Sequence, residues 1–134
     1  MYLLDTCVWS DARRRVPAVR AWLGTVSPAS LFLSVVTVGE MTKGITLRSR
    51  QDPVAAASLQ NWLNNLRDAH DERILPIDEA IAIAWGQMMA ARTLPIADAL
   101  IAATARAHAL VLVTRNVADF AGTGVEIVNP WVNA

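Results

Sequence analysis

The chain has 134 residues and a mass of 14.5 kDa, enough for one compact domain and no second. With 54% apolar and 18% charged residues and a mean hydropathy of +0.32, it buries a sizeable core, which excludes intrinsic disorder. Twelve basic side chains balance twelve acidic ones, so a global electrostatic grip on nucleic acid is excluded and any such site is local.

Tyr2-Leu-Leu is a short apolar run ending at Asp5 and predicts a buried first strand. It lacks the basic and apolar regions of a cleaved export signal. Cys7, the sole cysteine, has no partner for an internal disulfide and is expected as a small buried filler in a cytoplasmic protein. Val16-Pro17 opens a helix with Val19, Trp22, Leu23 and Val26 at helical spacing, closed by Ser27-Pro28. The uncharged stretch from Ala21 to Gly39 has the length of a membrane span, but Gly24, Ser27, Pro28, Ser30 and Ser34 make it helix, turn and strand. Leu31 to Val36 predicts a second buried strand. Thr37-Val-Gly-Glu40 then has capping-box spacing, from which a helix should run to about Leu47. Beyond an exposed connection at Arg48 to Gln51, Asp52-Pro53 caps a long helix with Leu59, Trp62, Leu63 and Leu66 on one face.

Arg73 to Ile77 predicts a short strand, and Asp78-Glu79 opens a helix carrying Ile81, Trp85, Met88 and Met89. After Thr93-Leu-Pro an Ala-rich helix runs from about Ile96 to His108, where the His suits the helix C-terminus. Leu110 to Thr114 is apolar and β-branched, the clearest strand, and Val125 to Val128 predicts the last. Strands alternate with helices, so the fold class is α/β, with a mostly parallel central sheet flanked by helices on both faces and one domain over residues 1–134. The Leu59/Trp62/Leu66 and Ile81/Trp85/Met88 stripes are expected to carry apolar surplus into a homodimer.

In open parallel sheets chemistry gathers beyond the carboxyl ends of the strands, and four acids fall there. Asp5 ends the first strand, Glu40 opens the helix after the second, Asp98 opens the Ala-rich helix, and Asp119 follows the Leu110 strand. Four converging acids repel one another unless a divalent cation holds them ionised. All-oxygen ligation selects Mg²⁺ or Mn²⁺, and no His or Cys pair offers a softer site. Structural roles compete: a capping box for Glu40, the helix dipole for Asp98, an Asx turn for Asp119. Asp5 is harder to explain away, because a carboxylate after a buried strand is costly unless paired or metal-bound. Thr6, Thr114 and Asn116 add neutral oxygens near the same edge. Arg13-Arg-Arg15 reads as a solvated helix face before it reads as a grip on RNA phosphates or an acidic partner.

Four segments of this sequence, Leu3-Leu-Asp5-Thr-Cys-Val, Val38-Gly-Glu40, Pro95-Ile-Ala-Asp98-Ala-Leu-Ile-Ala-Ala-Thr-Ala and Val113-Thr-Arg-Asn-Val-Ala-Asp119-Phe, closely resemble the PIN domain. Within it the chain resembles the toxin ribonuclease of a VapBC-type toxin–antitoxin pair, in the group similar to FitB. The resemblance implies a PIN-like fold and a Mg²⁺- or Mn²⁺-dependent endoribonuclease, neutralised by a cognate antitoxin and commonly dimeric. Its acidic positions fall on Asp5, Glu40, Asp98 and Asp119, and its supporting polar positions on Thr6, Thr114 and Asn116. Cys7 stands where many members carry Asn.

The expected chemistry is metal-assisted phosphodiester hydrolysis, with Asp5 and Asp98 as ligands, Glu40 and Asp119 binding directly or through water, and Arg115 holding a phosphate. Two enzyme rivals fail on residues. A haloacid-dehalogenase-like phosphatase needs a second Asp where Cys7 stands, and a receiver domain needs a Lys after a late strand, whereas the only Lys is Lys43. A non-catalytic PIN-like module that binds RNA or protein is the alternative of another class.

Overall fold

Five short parallel strands form the centre of the computed structural model, which describes residues 1–132. The first, β1 (Tyr2–Leu4), feeds directly into α1 (Thr6–Arg13), a helix that the apolar spacing does not announce. Asp5 starts it, in extended conformation, with its carboxylate accepting the Thr6 N–H. Next comes α2 (Pro17–Leu23), with Pro17 in its first turn and Val19 buried, as expected.

The second strand is shorter than the sequence suggests. β2 (Leu31–Ser34) stops where the Ser34 hydroxyl accepts the Val36 N–H at 3.0 Å, a cap that starts α3 (Val35–Ser49) before Thr37. Thr37 is therefore inside the helix and fully buried, and the Thr37/Glu40 spacing is not a capping box. The next helix, α4 (Pro53–Ala69), begins as predicted, with the Asp52 carboxylate accepting the Ala55 N–H at 3.1 Å. After β3 (Ile74–Leu75), Asp78 caps α5 (Glu79–Ala91) by the same device at 3.0 Å. Then follow α6 (Ile96–Ala107), β4 (Val111–Val113), the short unpredicted α7 (Val117–Phe120) and β5 (Ile127–Val128).

Strand order is β3-β2-β1-β4-β5, all parallel, with Tyr2 opposite both Leu31 and Val111. Side chains alternate across this sheet. Leu3 and Leu112 join Ile81, Met88, Ile101 and Phe120 in one core, while Leu4, Leu33 and Val113 join Val8, Val19, Leu63 and Leu66 in the other. Helices thus cover both faces, as the near-continuous apolar strands require. The two stripes expected to carry surface surplus are largely consumed here: Ile81, Met88, Leu63 and Leu66 are buried, and Leu59, Trp62 and Trp85 half-buried. Among the described residues no helix is long and apolar enough to cross a membrane.

The chain steps outward from β1 through β2 to β3, then returns to the other side of β1 for β4 and β5. The loops leaving β1 and β4 therefore diverge, opening a crevice at their carboxyl ends. Asp5 and Thr114 are the first residues past those two ends.

Candidate active site

Asp5 lies at the floor of that crevice, 4% exposed. An ionised carboxylate at such depth is costly without donors, and here it has them. Its Oδ1 accepts the Thr6 N–H at 2.8 Å, and its Oδ2 accepts the Thr114 hydroxyl at 2.9 Å across the switch point. The Asn116 N–H donates to the same Thr114 hydroxyl at 3.0 Å, which leaves the hydroxyl proton for Asp5. An N-cap carboxylate ordinarily reaches the second or third helical N–H. Asp5 takes the first, so capping alone does not account for its pose.

Cys7 is more than a core filler. It is half-buried, with its thiol 3.7 Å from Asp5 Oδ2 and 3.9 Å from Thr114 Oγ1. Burial foremost, together with the Asp5 charge, pushes its pKa up against the opposing pull of the Arg115 backbone N–H and the Thr114 hydroxyl. The thiol thus stays protonated and donates to the Asp5 carboxylate.

Glu40 is exposed, on α3, with its Oε1 accepting the Thr6 hydroxyl at 2.7 Å. Thr37 Oγ1 lies 3.0 Å from Thr6 Oγ1. Since the single Thr6 proton points to Glu40, Thr37 is the donor in that second contact, giving a relay from Thr37 through Thr6 to Glu40. Thr37 is a site residue the sequence reading missed. Its threonine hydroxyl at helix spacing from Glu40 was a signal, spent on the wrong motif.

Asp98 sits in the first turn of α6, behind Pro95, which has no side chain to cap with. Burial, then the charges of Asp5, Glu40 and Asp119 in that order, hold its pKa above the ordinary aspartate value of 3.8. Asp5, Glu40 and Asp119 are therefore each within electrostatic reach of Asp98. No Arg or Lys lies within 4.0 Å of any of them among the described residues, where the ion pairs are Arg14–Asp11, Arg48–Asp52 and Arg115–Asp11. Uncompensated carboxylates supported by hydroxyls form a hard oxygen donor set that fits Mg²⁺ or Mn²⁺. The cluster is open: among the described residues no three His, Cys, Asp or Glu side chains are drawn around one point.

Two expected helpers are placed differently. Asn116 contributes its backbone N–H, whereas its exposed side chain caps nothing at the start of α7. Arg115 turns from the acids toward Asp11 and Trp131. A groove of about 280 Å³ opens beside Thr6 and Glu40, lined by Met41, Ile45 and Trp62 together with Arg13, Arg14 and Arg48.

Known proteins are similar to this chain over nearly its whole length. Toxin FitB of Neisseria gonorrhoeae is 34% identical over 98% of this chain and 99% of its own. The VapC ribonuclease Y4jK of Sinorhizobium fredii is 33% identical over 98% of each chain. The crystal structure of FitAcB from Neisseria gonorrhoeae superposes with a TM-score of 0.89, at 33% identity over 98% of this chain and 99% of that one. The family profile described as PIN domain matches residues 2–124, and with the acids of four separate segments converging on the β1/β4 crevice of an all-parallel sheet, the chain belongs to the PIN-domain family.

Proposed function

We propose that this protein is a metal-dependent endoribonuclease, the toxin of a type II toxin–antitoxin pair, acting on RNA in the cytoplasm. The observation that carries the reading is Asp98 held under the charges of Asp5, Glu40 and Asp119 at the switch point, with no basic partner to any of the four among the described residues. The names of its relatives, toxin and VapC ribonuclease, support it. Asp5 and Asp98 would hold the cation, with Glu40 and Asp119 as further carboxylates available to it. When bound, Mg²⁺ or Mn²⁺ lowers the pKa of a coordinated water and offsets charge on the phosphoryl oxygens.

The remaining residues prepare that site. Thr114 and Cys7 fix the Asp5 carboxylate, and Thr37 and Thr6 aim Glu40, so the acids need little reordering when they bind. Arg13, Arg14 and Arg48 give a neutral protein a local purchase on a polyanion beside the acids. The protein acts as a homodimer and is neutralised by a cognate antitoxin. Support for a covered surface now comes from Val35, Ile77, Ile96 and Val117, exposed apolar side chains at the carboxyl edge of the sheet.

Purified protein is expected to cut structured RNA with Mg²⁺ or Mn²⁺ and to stop in EDTA. Cleavage that persists in EDTA without added metal overturns the mechanism. RNA binding without cleavage at any metal concentration favours the non-catalytic module instead.

A further inference from the structure

Arg115 lies between Thr114 and Asn116, the two residues that brace Asp5 from the β4 side. Its own side chain is bound on two sides. Nη2 donates to Asp11 Oδ2 at 2.7 Å, and the guanidinium lies 4.3 Å from the centroid of the Trp131 ring. Asp11 is on α1, about 9 Å further along the helix axis than Asp5 at ~1.5 Å per residue. Its side chain is only 11% exposed, a depth at which a polar group needs hydrogen-bond partners. Trp131 packs on the core formed by Val8, Val19 and Leu63. The loop from β4 to α7 is thus tied to α1 twice, at Asp5 through Thr114 and at Asp11 through Arg115.

We infer that Asp11 and Arg115 are positioning residues: their ion pair, stacked on Trp131, holds the β4–α7 loop against α1 so that the Thr114 hydroxyl stays on Asp5. Arg115 is then a brace and not a phosphate contact. The Cys7 thiol lies 3.9 Å from Thr114 Oγ1, so the braced loop borders that sulfur. The consequence for metal affinity rests on the proposed nuclease site. The brace itself does not.

Cys7, the only cysteine, makes the brace measurable without metal or RNA. In EDTA, Asp11→Asn and Arg115→Met are each expected to speed iodoacetamide alkylation of Cys7 severalfold, and the double variant to be no faster than the faster single. Where the wild type melts higher with Mn²⁺, both singles should need about 10–100-fold more Mn²⁺ for the same shift, the usual cost of losing an outer partner of a metal ligand. Arg115→Lys keeps a cation for Asp11 and should lie nearer the wild type in both assays. Arg115 is half exposed, so Arg115→Met should fold even if Asp11→Asn does not, as far-UV circular dichroism will show. Unchanged alkylation in a folded Arg115→Met variant, with a raised KM for RNA, overturns the brace in favour of a phosphate contact. A double variant that regains the Mn²⁺ response lost in Asp11→Asn also overturns it, because a freed Arg115 would then be competing with the cation. Faster alkylation in the variants, with no Mn²⁺ response even in the wild type, leaves the brace standing and sinks the metal site.

Discussion

The two halves of the acidic cluster are built on opposite terms. On the β1 side, Asp5 is seated by the Thr6 N–H, the Thr114 hydroxyl and the Cys7 thiol, and Glu40 by the Thr6 hydroxyl alone, with Thr37 behind Thr6. On the α6 and α7 side, Asp98 and Asp119 accept no hydrogen bond among the described residues, and Asp98 carries the full effect of its three neighbours' charges. A carboxylate seated by donors contributes to the fold with or without metal. A bare one brings repulsion to the fold, which a cation at the proposed site would relieve. The contrast separates residues that build the site from residues that wait for its ligand.

The largest effect should come from setting Asp5→Ala against Asp98→Asn. Both are expected to cut RNA cleavage by orders of magnitude, since each removes a hard anionic ligand. Their stabilities should part. Asp5→Ala leaves the buried Thr114 hydroxyl and the Thr6 N–H without an acceptor and should cost about 1–3 kcal/mol in EDTA. Asp98→Asn relieves repulsion at the expense of a helix-dipole contact worth roughly 0.3–1 kcal/mol, so its Tm in EDTA should hold or rise while the upward shift with Mn²⁺ shrinks. An Asp98→Asn variant that melts lower in EDTA, keeps the Mn²⁺ shift and still cuts RNA removes Asp98 from the site.

Thr114→Val tests the seated half one atom further out. It keeps the shape of a fully buried side chain and deletes the donor to Asp5, for an expected loss of about 1–3 kcal/mol and a 10–100-fold weaker Mn²⁺ response, read by thermal melts over a metal titration. Thr6→Ala should do less. Its bond to Glu40 is exposed, so about 0.5–1.5 kcal/mol and a modest fall in cleavage are expected. If Thr6→Ala proves as damaging as Thr114→Val, the donors to Glu40 matter as much as those to Asp5.

What the sequence made legible follows the same division. Apolar strands, Pro-led helices and the Asp52 and Asp78 caps are local patterns, and all are found near where spacing puts them, although β2 stops at Ser34 and β3 spans only Ile74–Leu75. The four acids were legible because topology sends every carboxyl end of a parallel sheet to one edge. Missed features depend on contacts between distant segments. Segment α1 begins at Asp5 and has little apolar periodicity of its own, its buried residues being Val8, Trp9 and Asp11. Thr37 was assigned to a cap because its partner, Thr6, lies 31 residues away. Arg115 reads as a phosphate contact because nothing in its own segment points to Asp11, 104 residues away. The stripe at Ile81 and Met88 showed helical spacing without showing that its apolar face is spent on Leu3, Ile101 and Phe120.

The smallest expected effect is a pH signature of the bare half. Burial, then Asp5, Glu40 and Asp119, raise the folded-state pKa of Asp98 above its ordinary 3.8, so the folded protein holds this proton more tightly than the unfolded chain. The stabilisation it supplies is complete below that ordinary value and is lost as pH rises through the folded one. Asn at this position carries no such proton. In EDTA, the Tm advantage of Asp98→Asn over the wild type should therefore be greatest near neutrality and close as the pH falls through the raised value. Salt should narrow it too, because Glu40 and Asp119 are exposed and their charges are screened. With saturating Mn²⁺ the order should invert, since the cation favours the anion that repulsion opposes. A Tm difference in EDTA that stays constant from neutral to acidic pH would mean that the charges of Asp5, Glu40 and Asp119 do not act on Asp98, and the contrast between a seated and a bare half would fall with it.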